Sequence, residues 1–132
     1  MSPAPPREGA PGGQRLPRSS RIRRGAEIRE LLRRGRRRRT SHLEVFTAPA
    51  PEGRPRYGTI VPRYGKKIVD RNLLRRRLRE IGRTRVLPAL RAAERDVDVL
   101  VRARPHAYQA RFADLRDELE GLTERLCSDP SS

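Results

Sequence analysis

Sulfur, histidine and aromatic side chains are scarce in this chain. One cysteine, Cys127, stands among 132 residues. It excludes an internal disulfide and has no cysteine partner for a metal site. His42 and His106 are the two histidines. Neither has a Cys or His neighbour at ligand spacing, so a surface or packing role is expected for both. There is no tryptophan, and only two Phe and three Tyr. No apolar run approaches the ~20 residues that a membrane-spanning helix needs. Met1–Ser20 lacks the apolar stretch of a signal peptide, so a cytoplasmic protein is expected. No nucleophile elbow, P-loop or zinc-ligand cluster occurs. The sequence therefore offers no catalytic constellation and no metal-binding set.

Acidic residues are also few, and their distribution is informative. The chain carries 32 Lys and Arg against 16 Asp and Glu, a formal charge of +16. Residues 19–85 hold 22 basic and 6 acidic residues, whereas 86–132 hold 7 basic and 9 acidic. The excess is concentrated in the middle of the chain. Self-repulsion of that size destabilises a compact state unless a polyanion neutralises it. Nucleic acid is the expected partner. A membrane surface is the competing polyanion, but the basic helix described next has too narrow an apolar stripe to anchor in lipid.

That helix is predicted over Lys66–Arg83. At ~100° per residue, Leu74, Leu78 and Ile81 fall on one narrow stripe. Asn72, Arg75, Arg76, Arg79 and Arg83 fall on another, roughly 150° away. One face suits a core. The other presents guanidinium forks, which match phosphate oxygens bidentately. A merely solvated charged face would carry acidic partners one turn away, and here only Asp70 and Glu80 are available.

The rest of the chain frames this helix. Residues 1–18 are rich in Pro and Gly and are expected to be a disordered tail. A folded domain is expected over 19–127, with a flexible end at 128–132. Gly25–Arg34 reads as a short helix on Ile28, Leu31 and Leu32, with Gly35 as its stop signal. Arg36–Arg39 is an unbroken basic run, suited to clamping phosphate. Leu43–Ala48 and Tyr57–Val61 read as strands, and the Pro- and Gly-rich turn between them suggests an antiparallel hairpin. Gly82 is expected to weaken the end of the basic helix and Pro88 to limit its continuation. Asp96–Ala103 alternates as a strand, and Asp96 and Asp98 on it suggest a soluble edge strand. Gln109–Leu126 is an amphipathic helix on Phe112, Leu115, Leu119, Leu122 and Leu126. One sheet with helices packed against it would bury all these faces, an α+β arrangement.

Arg71, Asn72, Arg75, Arg76, Arg79 and Glu80 follow the pattern R-N-x-x-K/R-R-x-x-R-E. This stretch resembles the signature helix of the bacterial ribonuclease P protein subunit. Val61 to Lys67 stands where that family has a strand ending in V-S-K-K before a glycine. Arg21 to Gly35 is similar to the family's first helix and basic turn. Leu73 replaces the second Arg of R-N-R, Pro62 and Tyr64 replace Ser and Lys, and Ile28 and Leu32 replace aromatics.

The resemblance implies a two-layer α+β sandwich of order αβββαβα. Its small central sheet would contain a left-handed βαβ crossover through the basic helix. It implies an endoribonuclease holoenzyme in which an RNA subunit, holding Mg²⁺, hydrolyses precursor tRNA to give the mature 5′ end. The protein would bind that RNA and the 5′ leader. The RNA-binding set would be Arg63, Lys66, Lys67, Arg71, Asn72, Arg75, Arg76, Arg79 and Arg83. Phe46, Tyr57 and Tyr64 are the aromatics available to a leader cleft.

Two other readings compete. A structural RNA-binding protein of ribosomal type shares the charge but does not require the motif spacing. A DNA-binding module would put the basic helix in a major groove. No second helix precedes it by a short turn, as a helix-turn-helix needs, so DNA is not the expected partner.

Overall fold

The structure, a computed structural model, describes residues 16–128. The elements are α1 (Gly25–Arg34), β1 (Arg36–Arg39), β2 (Leu43–Pro49), β3 (Arg56–Ile60), α2 (Ile68–Ile81), α3 (Leu87–Ala92), β4 (Val97–Ala103) and α4 (Phe112–Ser128). A π-helical turn, Gly82–Val86, joins α2 to α3, and short 3-10 turns precede α1 and α4. The αβββαβα order is present, with α3 as an extension of α2.

The four strands lie in the order β1-β2-β4-β3. β2 is antiparallel to both β1 and β4, and β4 is parallel to β3. The predicted hairpin between Leu43–Ala48 and Tyr57–Val61 is therefore not formed. β4 inserts between those strands, and α2 serves the β3–β4 crossover. The hairpin partner of β2 is β1, the Arg36–Arg39 run. Charged side chains suit an edge strand, because they discourage pairing with another chain.

β4 is an interior strand rather than an edge. Val97, Val99 and Val101 bury one of its faces and Leu100 the other. Asp98 on that second face is 4% exposed. It accepts from Arg56 Nε at 2.9 Å and Nη2 at 2.7 Å, and Arg56 also bonds Glu27 on α1. Asp98 is thus a partner of a buried guanidinium and not a solubility device.

The main core lies between the sheet and α2–α4. It contains Leu43, Val45, Tyr57, Val99 and Val101 from strands and Leu74, Leu78, Ile81, Leu90, Leu115 and Leu119 from helices. A smaller cluster of Ile22, Leu31, Phe46 and Leu100 joins α1 to the opposite sheet face. Leu16 is 4% exposed and belongs to the main core, so the folded domain begins before the expected boundary at 19. The expected tail before it, residues 1–15, and the last four residues lie outside the described region.

Two glycines act through space rather than flexibility. Gly35 does stop α1, but with an extended backbone (φ −64°, ψ 149°). A Cβ there would sit 2.5 Å from the Leu31 carbonyl oxygen. Gly82 does not end the helical path, which runs on through the π turn. The Tyr57 ring lies against it, with three ring atoms 2.3–2.5 Å from where a Cβ would be. Pro88 starts α3 near its N-terminus, where a missing N–H is tolerated.

Candidate nucleic-acid interface

α2 divides as its 3.6-residue period requires. Leu74, Leu78 and Ile81 are buried against the sheet. Asn72 and Arg76 are exposed on the far side, with Arg75, Arg79 and Arg83 half-buried beside them. Arg75 Nη1 donates to Asn72 Oδ1 at 2.8 Å, which fixes both side chains on the face. Arg83 Nη2 pairs with Glu80 at 2.7 Å.

The loop before α2 carries Arg63, Lys66 and Lys67, all exposed. It turns sharply at Tyr64 (φ 47°) and Gly65 (φ 74°). Two phenols hold it. Tyr108 Oη donates to the Pro62 carbonyl at 2.6 Å, and Tyr64 Oη donates to the Ala103 carbonyl at 3.2 Å. Lys66 Nζ lies 5.6 Å from the Tyr108 ring centroid. Burial pushes the Tyr108 hydroxyl pKa up, so it remains a donor at neutral pH. Of the nine predicted residues, eight lie on this loop and α2, and Arg83 follows in the π turn.

A second basic surface lies on the sheet beside α1. Glu44 accepts from Arg102 at 2.7 and 2.9 Å, from Arg39 at 3.2 Å and from Arg37 at 3.3 Å. Burial raises the Glu44 pKa, but Arg102, Arg39 and Arg37 offset this and hold the carboxyl below its usual range. Three guanidinium groups share one carboxylate, so the patch keeps a net positive charge. Arg102 Cζ also lies 5.1 Å from the Phe46 ring centroid. Half-buried Ile28, Leu32 and Ile60 pack against the apolar cluster of Ile22, Leu31, Phe46 and Leu100 on that side of the sheet. Apolar side chains of α1 and β3 therefore lie on the same sheet face as this cationic patch.

The family model for ribonuclease P matches residues 16–127. The chain belongs to the ribonuclease P protein family. It is a protein subunit of ribonuclease P, as its relatives are. The ribonuclease P protein component of Acidothermus cellulolyticus is 36% identical over 121 residues, covering 89% of this chain and 96% of that relative. That of Micrococcus luteus is 41% identical over 116 residues, covering 80% and 86%. The solved ribonuclease P protein of Thermotoga maritima has the same fold, with a TM-score of 0.66 at 23% identity over 80% of this chain and 96% of that one.

Within this ribonuclease P protein the three predicted cleft aromatics do not converge. Phe46 faces α1 but is 3% exposed, so its ring is not an open stacking platform. Tyr57 projects from the opposite sheet face into the main core. It is 1% exposed, and its hydroxyl donates to the Leu78 carbonyl at 2.7 Å. Burial pushes its pKa far up. Tyr57 is a core residue on the sheet face away from α1. Tyr64 is exposed but sits in the loop before α2, beside Tyr108.

The placement of Arg102 and Ile60 together on the α1 side of the sheet was not legible in the sequence. Finding them requires the β2–β4 and β3–β4 registers, which place Arg102 opposite both Glu44 and Ile60. Among the described residues, no three His, Cys, Asp or Glu side chains converge as a metal site, and no helix is long and apolar enough to cross a membrane. His42 has a packing role. Its Nδ1 lies 2.5 Å from Glu118 Oε2, and Thr40 donates to the other carboxylate oxygen at 2.6 Å.

Proposed function

We propose that this ribonuclease P subunit binds the catalytic RNA through the α2 face and its preceding loop, and the 5′ leader of precursor tRNA along the surface where α1 meets the sheet. The observation that carries this reading is the division of α2. Its apolar stripe is consumed by the core, which leaves Asn72, Arg75 and Arg76 facing outward on a rigid element. Rigid guanidinium arrays bind phosphates with little ordering cost. On that surface, Arg37, Arg39 and Arg102 supply phosphate contacts, and Ile28, Leu32 and Ile60 supply apolar surface for unstacked bases. Those contacts replace the aromatic stacking usual for single strands.

Among the described residues, the more buried carboxylates do not suit a resident Mg²⁺. Magnesium takes carboxylate and water oxygens in octahedral geometry. Glu44, Glu27 and Asp98 are each engaged by arginine, and Glu118 by Thr40 and His42. We assign Mg²⁺ and hydrolysis to the RNA subunit. The protein contributes binding energy and charge neutralisation, which lower the cost of bringing two polyanions together.

Reconstitution tests this. Protein with Mg²⁺ and precursor tRNA should leave the substrate intact. Adding the catalytic RNA should yield the mature 5′ end, with tighter substrate binding than RNA alone. Specific 5′ processing by the protein alone would overturn the assignment.

A further inference from the structure

A pocket opens on the flank of α2 next to the basic face. It is lined by Lys66, Asp70, Leu73, Leu74, Arg77, Tyr108 and Gln109 and has a volume of about 200 Å³. Typical small-molecule sites occupy ~300–1,000 Å³. This one suits a single planar ring system. Asp70, Leu73, Leu74 and Arg77 follow one another at helical spacing, so one flank of α2 forms a wall. The 3-10 turn Pro105–Gln109 supplies Tyr108 and Gln109 opposite.

The walls have a definite chemistry. Leu73, Leu74 and the Tyr108 ring are apolar. Leu73 is 40% exposed although it is a leucine on an otherwise arginine-rich helix. It stands where the family motif often has arginine. Val69, one turn earlier, is 65% exposed and extends the apolar surface. The polar groups are few and differ in kind. Asp70 is an acceptor only, and the Gln109 amide both donates and accepts. Lys66 and Arg77 are cations.

A carboxylate repels phosphate, so the ligand's charged part belongs with Lys66 and Arg77 and its uncharged part beside Asp70. We propose that this pocket holds one unstacked nucleobase of the RNA bound along α2. The base carries an exocyclic amino group, which donates to Asp70. Adenine, cytosine and guanine meet that requirement and uracil does not. Tyr108 is held by its bond to the Pro62 carbonyl, so the pocket is preformed. The inference rests on the reading of α2 as the RNA-binding helix. It adds a base-specific contact to an interface otherwise made of sequence-independent phosphate contacts.

The test uses the full chain and its cognate catalytic RNA. Wild type, Leu73→Ala, Gln109→Ala and Asp70→Ala are titrated against the RNA at several salt concentrations. The same complexes are probed with dimethyl sulfate and kethoxal, which modify unpaired base edges. Leu73 and Gln109 are solvent-facing, so their truncation opens no core cavity. Melting curves check this.

Base stacking and burial contacts are worth enough that each variant should bind on the order of ten-fold more weakly. The salt slope should stay at the wild-type value for Leu73→Ala and Gln109→Ala, because neither removes a charge. One amino-bearing base should be protected by wild type and exposed in all three variants. Asp70→Ala is the sharpest arm. Removing a negative charge near RNA tightens binding if Asp70 serves only the helix dipole, and weakens it if Asp70 holds a base. Unchanged affinities with an unchanged footprint overturn the pocket, as does tighter binding by Asp70→Ala. Those results leave the wild-type salt slope, and hence the reading of α2, intact. A wild-type chain that does not bind the catalytic RNA overturns both.

Discussion

Truncating Leu78 to alanine removes a side chain with no exposed surface from the seam between α2 and the sheet. The neighbourhood resists collapse, because the Leu78 carbonyl is pinned by the Tyr57 hydroxyl. A buried Leu→Ala change with limited relaxation costs about 2–5 kcal/mol. At ~4 °C per kcal/mol for a domain of this size, the melting temperature should fall by roughly 8–20 °C. RNA affinity, measured well below that midpoint, should change little. Arg76→Ala, on the exposed side of the same helix, should do the reverse. It opens no cavity, so melting should move by less than ~2 °C. One lost phosphate contact should flatten the dependence of log K on log salt by roughly 0.7–0.9. Circular dichroism melts and salt-dependent titrations with the catalytic RNA measure both quantities. Arg79→Ala should show some of each effect, because Arg79 also lines a small cavity with Leu16 and Tyr57. If Arg76→Ala unfolds the protein or leaves the salt slope unchanged, the outward face of α2 is not an RNA-binding surface.

Gly82→Ala should destabilise the fold by about 1–3 kcal/mol or more, since the new methyl group meets the Tyr57 ring; an unchanged melting midpoint would refute the close approach. Arg56→Met should cost about 3–5 kcal/mol by leaving Asp98 buried without its guanidinium, and pairing it with Asp98→Leu should recover most of that loss. A double-mutant cycle on thermal melts decides it. Glu44 and Glu118 both have carboxyl pKa values held below the usual range, against the opposing effect of burial. Their contribution to stability is therefore fully present above the ordinary carboxylate pKa of ~4.3 and is lost as pH falls through the lower folded values. Denaturant midpoints should be flat from about pH 7 to 5 and decline below, and Glu118→Gln should shallow that decline.

The α2 assignment was legible because leucine and arginine alternate there with a helical period, and the period alone fixes which side is buried. β1 was not legible for the opposite reason. Four consecutive arginines have no apolar–polar alternation, so nothing local distinguishes a strand from a solvated run. Its strand character comes from pairing with β2 and from the carboxylate of Glu44. The β2–β3 hairpin was misread because short connections favour adjacency, and only the two-sided burial of β4 reveals that it takes an interior place. The same long-range register hid Arg102. Tyr57 and Gly82 were each visible, but their contact depends on α2 packing across β3. Leu16 looked like part of a proline-rich tail, and its place in the core depends on tertiary contacts with no sequence period.

The position of β4 also sets an order of events during synthesis. β3 pairs only with β4 among the strands of the sheet, and β4 leaves the ribosome after α2 and α3. Until Val97–Ala103 emerges, β3 has no strand to hold it and the leucine stripe of α2 has an incomplete floor. Non-local pairing of this kind delays folding. The segment carrying the chain's whole positive excess, 19–85, is therefore extruded before the sheet closes. The positive charge is thus exposed on the nascent polypeptide before the fold that sorts it onto one side of α2 is complete.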